Sequence, residues 1–198
     1  SQSGHMDAIG YELYVKILEN AVLELKGEAI KEEDDCTVSF NLDAFIPESY
    51  ISSNNIRMEI YKKIAEVSSK ELYDDLIDEI IDRFGTPPKS VTNLIRISLL
   101  RNLARGFGVD NILQTDEYLK IYIRSPHEDL PSFVCRGDKI KGRVFFSNGD
   151  KSYFTLRMLK TDNVLDMTQY IIDLFTEFSE KIINKTHLRS RRCVFMIT

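Results

Sequence analysis

From about Ser90 to Arg105 the chain carries Val91, Leu94, Ile95, Ile97, Leu99, Leu100 and Leu103, apolar positions at helical spacing that spread over more than one side. A helix apolar on several sides cannot lie on a surface and has to be enclosed by other elements. The chain must therefore supply layers around this helix, and both helix-period and strand-period segments are present to do so.

Before it, Ile56, Ile60, Ile64 and Val67 form one helical stripe, with Arg57, Lys62 and Lys63 elsewhere. Ser68 and Glu71 then have capping-box spacing for a second helix, whose buried side reads as Leu72, Leu76, Ile77, Ile80 and Phe84. Gly85-Thr-Pro-Pro88 stops that helix and starts the enclosed one. Earlier still, Val38, Phe40 and Leu42 alternate with Ser39, Asn41 and Asp43, which predicts a strand over Val38–Ile46, stopped by Pro47.

After Gly106 and Gly108, Leu119, Ile121 and Ile123 alternate with Tyr118, Lys120, Tyr122 and Arg124 as in a strand. Ile140–Ser147 and Lys151–Met158 flank Asn148-Gly149, a dipeptide suited to a type I′ hairpin turn. A last helix starts near Asp162 or Asn163, with Val164, Met167, Ile171, Leu174, Phe175, Phe178 and Ile182 on one face. The expected fold is α+β, with several helices on a small, largely antiparallel sheet that includes a β-hairpin, and a long C-terminal helix.

The ends differ from this body. Between Met6 and Lys26, Ile9, Leu13, Ile17, Leu18, Ala21, Val22 and Leu25 mark an amphipathic helix that stops at Gly27. Glu28 to Asp35 is charged and without apolar period. The expected division is therefore a helical segment over 1–27, a linker over 28–35, a main domain over 36–185 and a basic, partly apolar tail over 186–198.

Composition narrows the function. The 26 Lys and Arg against 31 Asp and Glu give a net charge of −5, which disfavours a protein whose main work is neutralising phosphates. The three cysteines form no Cys-x-x-Cys pair, as expected for a reducing cytoplasm, without a disulfide framework or structural zinc. No apolar run approaches the roughly 18 residues that mark a bilayer span. Gly149-Asp-Lys-Ser152 lacks the glycine and Gly-Lys step of a P-loop, and Arg105-Gly-Phe-Gly108 follows a helix and lacks the third glycine of a dinucleotide loop. Arg136-Gly-Asp138 reads as a loop turn, and His5, His127 and His187 match no metal spacing. None of these motifs carries a catalytic or metal-binding site.

The segment from Glu66 to Asp82 is the informative one, with seven carboxylates against Lys70 alone. At helical spacing Glu71, Asp75, Asp78, Glu79 and Asp82 share one side, with Arg83 beside them. Three readings stand: a solvated face, a docking surface for a basic partner, or a hard-cation or acid/base site around Asp75, Asp78, Glu79 and Asp82. A second candidate surface is nucleic-acid binding. It would use Tyr118, Lys120, Tyr122, Arg124, Arg143, Phe145 and the basic tail, because aromatics interleaved with cations can stack bases and meet phosphates.

Asp78-Glu-Ile-Ile-Asp-Arg-Phe-Gly85, followed by Pro87-Pro88 and preceded by Arg57-x3-Tyr61-Lys-Lys-Ile-Ala65, closely resembles the C-terminal domain of bacterial transcription-repair coupling factors. Gln2-Ser-Gly-His-Met6, Ile9-Gly-Tyr-Glu-Leu-Tyr14 and Leu18-Glu-Asn-Ala-Val22 resemble the end of that family's translocation motor and the helix leaving it. The resemblance runs from Gln2 to about Gly108.

It implies a parent protein that recognises RNA polymerase stalled at a lesion, displaces it with an ATP- and Mg-dependent translocase on double-stranded DNA, and recruits the excision-repair damage-recognition protein. The motor's nucleotide motifs are expected upstream of Ser1, so this chain is expected to bind no cofactor and to be catalytically inert. The resemblance further implies an autoinhibitory role, in which this domain docks on the N-terminal repair-protein-like domain of the same polypeptide and masks its partner-binding surface. The contact residues so implied are Glu79, Asp82 and Arg83, with Asp75 and Asp78 beside them. Phe84 and Gly85 read instead as a buried anchor and a helix cap.

Overall fold

The computed structural model describes residues 36–124, 134–135, 142–148 and 152–194. The expected N-terminal helix, the linker and the last four residues of the tail lie outside them. Among the described residues four helices, α1 (Asn54–Glu66), α2 (Lys70–Phe84), α3 (Lys89–Gly106) and α4 (Val164–Val194), accompany five strands. The strands are β1 (Thr37–Ser39), β2 (Val109–Gln114), β3 (Tyr118–Ile123), β4 (Val144–Asn148) and β5 (Ser152–Arg157), in the sheet order β1-β2-β3-β5-β4. Only the β1–β2 pair is parallel. The fold is α+β, as the sequence predicts. Among the described residues no helix is long and apolar enough to cross a membrane.

The enclosed helix is α3. It packs against α1, α2, α4, β1 and β2, and Val91, Leu94, Ile95 and Leu100 are fully buried. Its polar residues are as consequential as its apolar ones. Ser98 is buried and donates to the Ile64 carbonyl at 2.6 Å, while Asn102 Nδ2 donates to the carbonyls of Ala65 and Val67 at 2.9 and 2.8 Å. These are carbonyls at the end of α1, where the helix runs out of its own donors; the Ile64 carbonyl also accepts from the Val67 N–H at 3.2 Å. Farther along α3, Asn93 Nδ2 reaches the Asp43 carbonyl at 2.9 Å and Arg101 Nε the Cys36 carbonyl at 3.0 Å.

One sheet face carries the core. Along β3, Leu119, Ile121 and Ile123 are buried and Tyr118, Lys120 and Tyr122 are half-buried on the other side. Phe107, just past α3, stacks on Phe175 at 5.2 Å and lies 5.3 Å from Phe178, which seats α4 against the end of α3.

Several local expectations are corrected. The strand expected over Val38–Ile46 ends at Ser39, because its partner β2 ends one residue beyond the Ser39–Leu113 pair. The Gln114 side chain then replaces the ladder, accepting from the Asn41 N–H at 3.0 Å. β2 has no counterpart among the expected strands, since a bulge between Val109 and Asn111 breaks its alternation. The cap of α2 is Ser69, whose hydroxyl accepts from Leu72 N–H at 3.3 Å, one residue after the expected Ser68. Leu72, expected in the core, is 46% exposed because it sits in the first turn of α2. The β4–β5 hairpin forms, with Asn148 paired to Ser152, and the residues that would close the expected type I′ turn lie outside the described ones. The helix α4 runs on to Val194 and so includes residues 186–194.

Candidate functional site

The helix α2 exists because its apolar positions recur at three and four residues and both ends are capped. Leu76 and Ile80 are its buried residues. At its C-terminus Gly85 takes φ +79° and donates its N–H to the Ile81 carbonyl at 2.9 Å. A residue with a Cβ rarely adopts that angle, so glycine fits the cap. Phe84 is the anchor expected of it: half-buried against the core, edge-on to Tyr50 at 6.3 Å, with the Tyr50 hydroxyl donating to the Gly85 carbonyl at 2.7 Å.

The orientation fixed by that anchor divides the expected site residues into two groups. Glu71, Asp75, Asp78 and Asp82 form an exposed ridge along the outer side. Asp75, Asp78 and Asp82 make no ion pair among the described residues, and Ile81, 43% exposed, lies beside them. The Glu71 carboxyl is held below its ordinary range by its own backbone N–H and by Ser69.

Glu79 and Arg83 lie on the flank of α2 that faces α1, and there they meet two residues the sequence reading did not single out as site residues. Lys63 Nζ is 2.6 Å from Glu79 Oε1 and 2.7 Å from Oε2. Arg83 Nη1 is 2.6 Å from the same Oε1 and 2.9 Å from Glu59 Oε1. Lys63 is also 3.7 Å from Glu59, one helical turn away. The guanidinium of Arg83 lies 4.9 Å from the centroid of the Phe84 ring, a cation–π contact. The four charges therefore form a closed, net-neutral network that ties α1 to α2. Lys63 first, then Arg83, holds the Glu79 carboxyl below its usual range, and Arg83 does the same to Glu59.

The expectation that Glu71, Asp75, Asp78, Glu79 and Asp82 form one face is thus corrected: the ridge is the four other carboxylates, and Glu79 is internally paired. The signal that could have found Glu59 and Lys63 was their own i,i+4 spacing on α1, but their partners on α2 are 16 and 24 residues away in sequence. Among the described residues no three His, Cys, Asp or Glu side chains are grouped to hold a metal.

The second candidate surface is partly assembled. Lys120 and Tyr122 share the sheet face turned away from the core, and the Tyr122 ring lies 5.4 Å from that of Tyr153. Phe145 is 56% exposed. Two of the expected cations are engaged elsewhere. Arg124 pairs with Asp110 at 2.6 Å. Arg143 pairs with Asp162 and also donates to the Arg157 carbonyl from Nε at 2.8 Å and Nη2 at 2.6 Å. Its side chain is only 15% exposed, so it ties β4 to the segment before α4 and offers little to a phosphate.

Residues 40–132 match the TRCF domain family. The chain is 38% identical over 183 residues to a transcription-repair-coupling factor of Staphylococcus epidermidis, covering 89% of this chain and 15% of that protein. It is 35% identical over 123 residues to the transcription-repair-coupling factor of Bacillus subtilis, covering 62% of this chain and 10% of that protein. Among solved structures, the crystal structure of the C-terminal domain of a transcription-repair coupling factor superposes with a TM-score of 0.59 at 19% identity, covering 77% of this chain and 99% of that one. The chain thus spans 10 to 15% of the length of these two curated relatives.

Proposed function

Because this chain carries the TRCF domain of the transcription-repair-coupling factors, we propose that it is a regulatory interaction domain without chemistry of its own, docking by the outer face of α2. The partner is the N-terminal repair-protein-like domain of the same polypeptide, and docking masks the surface that recruits the excision-repair damage-recognition protein. The parent would be an ATP-dependent DNA translocase that removes stalled RNA polymerase.

The single observation that carries this reading is the exposed row Asp75, Asp78 and Asp82, unpaired among the described residues and flanked by Ile81. Like charges one turn apart repel by a few tenths of a kcal/mol per pair, and a basic partner would relieve that cost. A contact of this kind is weak in isolation but effective within one polypeptide, where tethering raises the local concentration, and a stronger partner can release it.

The test is titration of the chain against the separately expressed N-terminal domain at low and high salt. Salt-sensitive binding abolished by Asp82→Lys supports docking on α2. Absence of binding at low salt overturns it, and salt-sensitive binding of single-stranded DNA lost in Lys120→Glu would place the function on the open sheet face instead.

A further inference from the structure

The charge on α4 changes sign at its middle. Through Glu180 the helix carries Asp166, Asp173, Glu177 and Glu180 and no Lys or Arg; beyond it come Lys181, Lys185, Arg189, Arg191 and Arg192 and no Asp or Glu. We propose that two copies of this chain pair antiparallel through α4, the acidic half of each lying along the basic half of the other. The proposal is independent of docking on α2.

The helix macrodipole favours acids at a helix start and bases at its end, but only within the first and last turn. A charge that holds one sign to mid-helix and the other from there on exceeds that effect. The positions are more specific still. Asp166, Tyr170, Asp173 and Glu177 are spaced by four, three and four residues; after a further step of four, Lys181, Lys185, Leu188 and Arg192 repeat that spacing. Steps of three and four keep all of them on one stripe of the helix. The row is symmetric in position about the level of Ser179 and opposite in charge on its two sides. An antiparallel partner presents the same row reversed. In the register centred at Ser179, Asp166 is level with Arg192, Asp173 with Lys185, Glu177 with Lys181, and Tyr170 with Leu188. A parallel partner in register would set like charges against each other.

The acidic half of the row is open to a partner. Asp166, Asp173 and Glu177 are exposed and Tyr170 is half-buried, because α4 turns Ile172 and Phe175 into the core, Phe175 against Phe107. Asp173 accepts from Gln169 Nε2 at 2.9 Å and makes no ion pair among the described residues.

Sedimentation equilibrium of the full chain tests the pairing. A dimer is expected whose dissociation constant rises about tenfold from low to high salt, as exposed ion pairs are screened. Two charge-reversed chains, Asp173→Lys with Glu177→Lys and Lys181→Glu with Lys185→Glu, are each expected to be monomeric, with circular dichroism confirming the fold. Mixed in equal amounts they are expected to form a heterodimer, because every reversed charge then meets its opposite. A chain that stays monomeric at low salt, a dimer that neither reversal weakens, or reversed chains that remain apart when mixed overturns the proposal. A monomer whose salt-sensitive binding of duplex DNA is lost with Lys181→Glu and Lys185→Glu also overturns it and assigns the basic half to phosphates. Should a reversed chain fail to fold, the salt dependence of the unmodified chain decides.

Discussion

The Ser98 hydroxyl, fully buried within α3, donates a 2.6 Å hydrogen bond to the Ile64 carbonyl near the end of α1. Together with Asn102 it makes the central helix the C-terminal cap of its neighbour. α1 carries the Lys63 and Glu59 side chains that meet α2, so this bond helps set the α1–α2 spacing on which the ion network depends.

Ser98→Ala removes one of the two donors on the Ile64 carbonyl, which keeps the Val67 N–H at 3.2 Å, and a loss of about 1 kcal/mol is expected. Asn102→Leu, which removes two donors, is expected to cost about 2–3 kcal/mol. Urea unfolding followed by circular dichroism measures both, and a change below a few tenths of a kcal/mol in either would contradict the assignment.

Gly85→Ala separates backbone strain from crowding. A Cβ built there meets nothing within 4 Å, so the cost comes from φ +79° alone. About 1–3 kcal/mol is expected, because φ +79° with ψ −170° is a region essentially restricted to glycine, measured as a shift in the urea midpoint at unchanged slope.

Leu100→Ala opens a cavity where α3 is fully enclosed. The expected loss is about 3–4 kcal/mol, within the range of buried leucine truncations. Leu72→Ala, at a position equally apolar in sequence but 46% exposed, is expected to cost less than about 1 kcal/mol. Similar losses at the two positions would mean that α2 is rotated from the orientation described.

The pH dependence follows from Glu79 and Glu59, whose folded carboxyls are held below the ordinary value of 4.5 by Lys63 and Arg83. A depressed folded pKa means that the unfolded chain binds protons more readily. The network's contribution is therefore complete above the unfolded value and is lost as pH falls through the folded one. The stability difference between the unmodified chain and Glu79→Gln is expected to be largest near neutrality and to shrink below about pH 4.5. A difference that stays constant across that window would show that Glu79 acts by packing and not by charge.

Core and cap residues were readable where a periodic signal was complete within one element. The enclosed helix followed from Val91, Leu94, Ile95, Ile97, Leu99, Leu100 and Leu103, and the Phe84-Gly85 anchor and cap followed from the stop signal after α2. β2 was not readable, because the bulge at Val109 to Asn111 shifts its apolar residues out of alternation. β1 was read too long, because the length of a strand depends on where its partner stops.

For the candidate site, local chemistry put Glu79, Asp82 and Arg83 on one helix and near one another, since a helix repeats every 3.6 residues whatever surrounds it. Which of them faces outward was decided by packing. Burying Leu76 and Ile80 against the body of the domain turns Asp82 to solvent and Glu79 and Arg83 toward α1, where Lys63 and Glu59 neutralise them. Periodicity along one segment carries no information about the charge on a neighbouring helix, because ion pairs between helices form only after the two have been brought together by their apolar faces.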